Sequence, residues 1–185
     1  MCYYMYIKGK KEPRMNTKNN LEIERKYIIE KPSPERMMEE AGYTSSKIVQ
    51  IYLTSPLGVT RRVRSREYAS GTRYFETSKI RVDKMSSEEL EREIDREEFN
   101  RLATEIAEDS RPIVKTRHTF DYLGQTFEID VYPEWERTCV METELPTRDT
   151  DVTFPDFIRV VAEVTGDKRY SNASMSRKFP EETKI

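Results

Sequence analysis

The sequence is poor in the residues on which many small enzymes rely. It has one histidine, His118, so neither a His-based triad nor a His-rich zinc site can be assembled, and His118 reads as a strand-surface residue. Two cysteines, Cys2 and Cys139, are too few for a disulfide scaffold and lack metal-ligand spacing, which favours a reducing, cytoplasmic setting. Cys139 reads as a small barrel residue, not a nucleophile. Long apolar runs are missing as well: the opening Met1–Ile7 is too short to span a bilayer and has neither a basic region before it nor a small-residue cleavage site after it. Leu, Ile, Val and Phe supply only 38 of 185 residues, near the level of about 20% below which chains often stay unfolded. Net charge is scarce too. At -2 it argues against a nucleic-acid partner, which calls for an excess of Lys and Arg, and against a polybasic membrane-surface protein.

What the chain does have is charge of both signs, 32 basic against 34 acidic residues, together with 11 Tyr and 7 Phe. Cancelled charge removes the self-repulsion that expands hydrophobe-poor chains, and this much aromatic mass belongs to folded proteins. The length fits one domain. We place it at residues 20–185, behind a flexible leader over residues 1–19 that is rich in Lys and Asn.

From Leu21 onward the pattern is mostly alternation. Leu21, Ile23, Tyr27 and Ile29 share one face of a strand, ended by Pro32-Ser33-Pro34. A short helix capped by Ser33 and stopped by Gly42 is predicted next, with Met37, Met38 and Ala41 on its apolar side. Strands follow at about 46–54, 59–68, 73–83 and 88–95. Asp95 with Glu98 resembles a capping box for a helix carrying Phe99, Leu102, Ala103, Ile106 and Ala107. Three more strands are predicted near 112–121, 126–132 and 137–145, with a hairpin turn at Gly124. Pro155 opens a third predicted helix, on which Phe157, Ile158, Val161 and Ala162 face one way.

The polar faces of these strands carry the information. The first strand shows Glu22, Glu24 and Lys26; the third Arg62, Arg64 and Arg66; the fourth Lys79 and Arg81; the fifth Glu89, Glu91 and Glu93. The sixth shows Lys115 and Arg117, the seventh Glu128 and Asp130, the eighth Glu142 and Glu144. One such ladder is ordinary surface decoration. Seven of the eight, several of a single sign, place like charges side by side, which is destabilising unless opposite charge compensates. Eight antiparallel strands closed into a barrel would turn these faces inward around one small ligand. Bases would then clamp a polyanion, and carboxylates at i and i+2 could share a Mg²⁺ or Mn²⁺ that also binds phosphate oxygens.

Glu22-Ile23-Glu24-Arg25-Lys26 resembles the ExExK signature of the CYTH superfamily, the triphosphate tunnel metalloenzymes. Gln50-Ile51-Tyr52-Leu53, Arg62-Val63-Arg64, Thr77-Ser78-Lys79, Glu89-Leu90-Glu91, Lys115-Thr116-Arg117, Glu128-Ile129-Asp130, Glu142-Thr143-Glu144 and Asp167–Asn172 are similar to the family's later segments, in the family's order. The resemblance covers about residues 21–178. It implies an α+β fold, an eight-stranded antiparallel β-barrel with peripheral helices, and hydrolysis of a small-molecule triphosphate with Mg²⁺ or Mn²⁺. It also implies that Glu22, Glu24, Glu128, Asp130, Glu142 and Glu144 hold metal. Lys26, Arg62, Arg64, Lys79, Lys115 and Arg117 would grip phosphates. Lys26 and Tyr52 would act as a catalytic pair, with Glu89 and Glu91 holding a second metal or water.

Two departures stand out: the arginine that often precedes the fifth-strand ExE is replaced around Ser87, and the connection from Tyr132 to Thr138 carries Trp135. Lys168, Arg169 and Tyr170 are expected either to plug one tunnel end or to form a solvated tail. Adenylyl cyclase, thiamine triphosphatase, nucleotide or RNA triphosphatase, and a non-catalytic polyphosphate-binding module are alternatives on the same barrel, and a homodimer is one oligomeric option.

Overall fold

The structure, a computed structural model, describes residues 20–185; the leader expected at residues 1–19 lies outside the described residues. The elements are, in chain order, β1 (Asn20–Glu30), α1 (Pro34–Met38), β2 (Ala41–Leu53), β3 (Val59–Tyr68), β4 (Gly71–Arg81), β5 (Ser86–Ile94) and α2 (Arg96–Ala103), then β6 (Ile113–Tyr122), β7 (Gln125–Val131), β8 (Thr138–Glu144), β9 (Val160–Glu163) and α3 (Asn172–Met175). Neighbouring strands run in the order β5-β4-β3-β2-β6-β7-β8-β1-β9, and β1 also pairs with β5. That last pairing closes an eight-stranded antiparallel barrel. β1 has β8 along one edge through Glu24–Glu30; its other edge is shared by β5, through Asn20–Ile23, and β9, through Tyr27–Ile29.

Local chemistry sets the boundaries. The Ser33 hydroxyl accepts from the Arg36 amide at 3.4 Å with Pro34 in the first turn, and Asp95 Oδ1 accepts from the Glu98 amide at 2.7 Å. Leu123 and Gly124, both with positive φ (48° and 78°), form the two-residue turn joining β6 to β7, a backbone twist that suits hairpins. In the β4–β5 loop, Asp83 Oδ1 accepts from the amides of Met85 and Ser86 at 2.9 and 3.0 Å.

Three expectations are corrected. The first helix ends at Met38 instead of running to Gly42, which lies inside β2 with φ 67°. α2 stops at Ala103, and Ile106 makes a bridge to Leu53. The third predicted helix is not formed: Pro155–Ile158 makes a turn, and Val160–Glu163 adds to the edge of β1. β-branched Val160 and Val161 suit that edge, and its unpaired backbone outweighs a short helical periodicity.

The hydrophobic residues pack mainly outside the barrel wall. Tyr27, Ile29, Phe120, Phe127, Ile129 and Met141 form one layer, covered by Met37 of α1 and by Phe154, Phe157 and Ile158. Leu53, Val63, Ile94 and Leu102 form a second layer under α2. A third cluster, Ile28, Ile113, Tyr132, Trp135, Val140, Tyr170 and Met175, fills one end of the barrel. Among the described residues, no helix is long and apolar enough to cross a membrane.

Candidate active site

Because side chains alternate along a strand, the charged residues at i and i+2 face the lumen together. They line a cavity of about 380 Å³. All the residues expected at the site reach it except Lys115 and Asp130. Around the ring, β3 with Arg62 and Arg64 stands opposite β8 with Glu142 and Glu144, four strands away in either direction. An arginine wall therefore faces a carboxylate wall.

The bases are partly matched by acids. Lys26 Nζ lies 2.6 Å from Glu142 and 3.9 Å from Glu24, and these carboxylates outweigh burial to raise its pKa. Arg62 pairs with Glu89 at 3.1 Å, Arg64 with Glu91, and Lys79 with Glu22 at 3.3 Å and Glu89 at 3.1 Å. Thr77 Oγ1 donates to Glu91 at 2.8 Å. The matching is incomplete on both walls. On the basic wall, the Nε atoms of Arg62, Arg64 and Arg66 are buried without a hydrogen-bond partner among the described residues. Burial and the like charges of Arg62 and Arg66 push Arg64 down to about 9. On the acidic wall, burial and repulsion from Glu89 push Glu22 up to about 7. Burial, with Glu128 and Glu24 beside it, raises Glu144. Neither wall is fully neutralised by its own neighbours.

Lys115 and Asp130 sit one layer below the cavity floor. Asp130 is fully buried, with Lys115 Nζ at 2.5 Å and the Arg117 guanidinium at 2.6 and 2.7 Å. Beneath them the lumen turns apolar at Ile28, Ile113, Tyr132 and Val140. Tyr52 lines the cavity, but its hydroxyl accepts from Gln50 Nε2 at 2.8 Å, and Lys26 turns to Glu142 instead of bonding to it. Burial raises the Tyr52 pKa, so the phenol keeps its proton.

The C-terminal segment closes this end of the barrel, with a division of labour among its residues. Lys168 and Arg169 are exposed, whereas Tyr170 packs against Trp135 and the stretch Ser171–Ala173 lines the cavity. Trp135 Nε1 donates to the Pro180 carbonyl at 3.1 Å, and Tyr132 donates to Asn172 Oδ1 at 2.8 Å. Ser87, where the family pattern often has an arginine, faces the cavity nearly buried. His118 lies on the outer face as expected but is covered by Tyr43, whose hydroxyl sits 2.9 Å from Nδ1.

No family model matches the chain, and no curated protein matches it. Solved structures do. The inorganic triphosphatase NE1496 is 29% identical, with a TM-score of 0.56 over 86% of this chain and 96% of that one. The PH1819 protein from Pyrococcus horikoshii OT3 shares the fold at 21% identity and a TM-score of 0.51, over 69% of this chain and 80% of that one. The chain has the CYTH triphosphate tunnel fold. Within the tunnel, the expected set left out Arg66, Gln50 and Thr77. Arg66 is visible in the sequence as the third arginine of an i, i+2, i+4 row, whereas Gln50 and Thr77 carry no charge to mark them.

Proposed function

We propose that this chain is a metal-dependent triphosphatase, hydrolysing inorganic triphosphate to pyrophosphate and orthophosphate within the tunnel. The observation that carries the reading is the pair of opposed, incompletely neutralised walls: arginine Nε donors buried without partners across from carboxylates raised by burial and by one another. The likeness to the inorganic triphosphatase NE1496 supports it.

Among the described residues, no three His, Cys, Asp or Glu side chains converge as a ready-made metal cage. The donor set is nonetheless suited to a hard cation. It is all carboxylate oxygen, and Glu22 and Glu144 are raised by burial and by neighbouring carboxylates, a cost that a cation relieves. Glu22, Glu24 and Glu144, with Glu128 and Glu142 beside them, would hold Mg²⁺ or Mn²⁺ together with substrate oxygens. Asp130 is spoken for by Lys115 and Arg117. A bound divalent ion supplies Lewis-acid neutralisation of phosphate oxygens.

The chain's own residues do the rest. Arg62, Arg64, Lys79 and Arg117 bind the phosphate oxygens and stabilise charge on the leaving pyrophosphate, the main demand that phosphoryl transfer makes of a protein. Lys26 and the Tyr52 hydroxyl donate hydrogen bonds to the chain, and Glu89 and Glu91 orient water for in-line attack. The water oxygen bonds to the terminal phosphorus as the bridging P–O bond breaks, and the water proton passes to a carboxylate and on to solvent.

The test is a panel of tripolyphosphate, ATP and thiamine triphosphate with Mg²⁺ and with Mn²⁺, reading products as well as rates. Pyrophosphate and orthophosphate from tripolyphosphate are expected, lost on chelation and reduced at least about a hundredfold in Glu24→Gln. Wild-type turnover by Glu24→Gln, or formation of cyclic AMP from ATP, overturns the proposal.

A further inference from the structure

We propose that Arg66 builds an additional phosphate subsite, so that the tunnel binds inorganic tetraphosphate as well as triphosphate. This rests on the triphosphatase reading and extends it.

The inference starts from a broken ladder. On β3 and β5, Arg62 pairs with Glu89 and Arg64 with Glu91. The same step would pair Arg66 with Glu93. Glu93 is instead taken in a two-pronged bond by Arg73, at 2.6 and 2.9 Å. Arg73 is also the residue directly across from Arg66 on β4, so two like charges face each other there and only one is neutralised. Among the described residues, Arg66 has no ion pair and no side-chain hydrogen bond. It lies along the face of Phe75, its guanidinium carbon 5.5 Å from the ring centroid, and its Nε is buried without a partner. It nevertheless lines the same cavity as Arg62 and Arg64.

Geometry makes this a subsite for chain length. Residues two apart on a strand lie about 6.6 Å apart, so the row from Arg62 to Arg66 extends over about 13 Å, longer than a triphosphate chain. Arg62 and Arg64 are each paired with a carboxylate of the same wall, whereas Arg66 rests on the Phe75 face without a carboxylate partner. A fourth phosphate in line with three held by Arg62 and Arg64 meets a planar donor fork suited to phosphate oxygens.

Binding of inorganic tetraphosphate and of tripolyphosphate is measured by calorimetry at low salt with a chelator present, for the wild-type chain, Arg66→Gln and Arg66→Lys. In the wild type, tetraphosphate is expected to bind more tightly. In Arg66→Gln the affinity ratio of tetraphosphate to tripolyphosphate falls at least about tenfold. Should that variant fail to fold, Arg66→Lys, which keeps the charge but loses the planar fork, is still expected to lower the ratio about threefold. A ratio unchanged in every variant that folds overturns the proposal, as does an equal loss for both ligands, which would put Arg66 inside the triphosphate clamp. Absence of tripolyphosphate hydrolysis with Mg²⁺ overturns the enzymatic reading alone, because the binding ratio does not depend on turnover.

Discussion

Asp130 and Arg117 form a buried pair in which the guanidinium meets both carboxylate oxygens, at 2.7 Å from Nε to Oδ1 and 2.6 Å from Nη2 to Oδ2. Arg117 thereby presents its other edge to Glu128 and Glu142 at the cavity. Replacing one partner of a buried pair strands the other, at a cost of about 3–5 kcal/mol. Asp130→Asn is therefore expected to lose several kcal/mol in urea denaturation, and a loss under about 1 kcal/mol counts against this role. The sign with pH follows. Arg117 and Lys115 overcome burial and hold the Asp130 carboxyl below its usual range, so its contribution is full above about pH 4 and lost as acid takes the pH through the folded-state value.

Glu22 has the opposite sign. With its folded-state value near 7, raised first by burial and then by Glu89, the native protein binds a proton between about pH 4.5 and 7 that the unfolded chain does not. Stability from this group falls as pH rises through that window. In the presence of chelator, Glu22→Gln is expected to be more stable than wild type at pH 8, with the advantage fading toward pH 4.5. Equal denaturation midpoints at pH 8 would contradict the crowding.

The C-terminal segment is a structural part of the barrel. Glu182 Oε1 accepts from the amides of Arg137 and Thr138 at 2.6 and 2.7 Å, pinning the segment across the mouth of β8. Truncation after Thr165 uncovers Tyr132 and Trp135 and removes Tyr170 and Met175 from the end cluster. Each fully buried side chain of that size contributes about 1.5–3 kcal/mol. The truncated chain should show red-shifted Trp135 fluorescence and a much lower melting temperature. A native spectrum and unchanged affinity would instead mark the segment as a solvated tail.

Organic triphosphates should be poor substrates. Trp135 is 2% exposed in the end cluster, and Tyr52 is the aromatic side chain among the described residues lining the cavity. Stacking of a base on an aromatic platform is worth about 1–3 kcal/mol, and Tyr52, at 5% exposure, presents too little of its ring to serve as one. We expect kcat/KM for tripolyphosphate to exceed that for ATP and thiamine triphosphate at least about tenfold, measured by phosphate release.

Much of the site was legible because the barrel preserves strand parity: residues two apart on a charged face do converge, as Glu22 and Glu24, Arg62 and Arg64, and Glu89 and Glu91 do. Depth was not legible. Glu128 and Asp130 have the same parity, yet only Glu128 reaches the cavity, because stagger between strands sets where the lumen turns from charged to apolar. Partner choice was equally hidden. Lys26 lies beside Glu142 on a strand far away in sequence, and that neighbour takes the bond expected for Tyr52. The segment after Pro155 misled for a related reason: its apolar spacing fits a short helix, while the edge of β1 that claims it is invisible locally.

The double occupancy of β1's edge has a kinetic side. The strand earliest in the barrel waits for partners made much later, as in the ion pair of Arg25 with Glu163, 138 residues apart. Such non-local closure slows folding, since loop entropy is lost before contacts form. Until β8 and β9 arrive, the acidic and basic walls are separate surfaces open to water. Phosphate-binding competence should therefore appear in one late step of refolding, together with the closure of the ring.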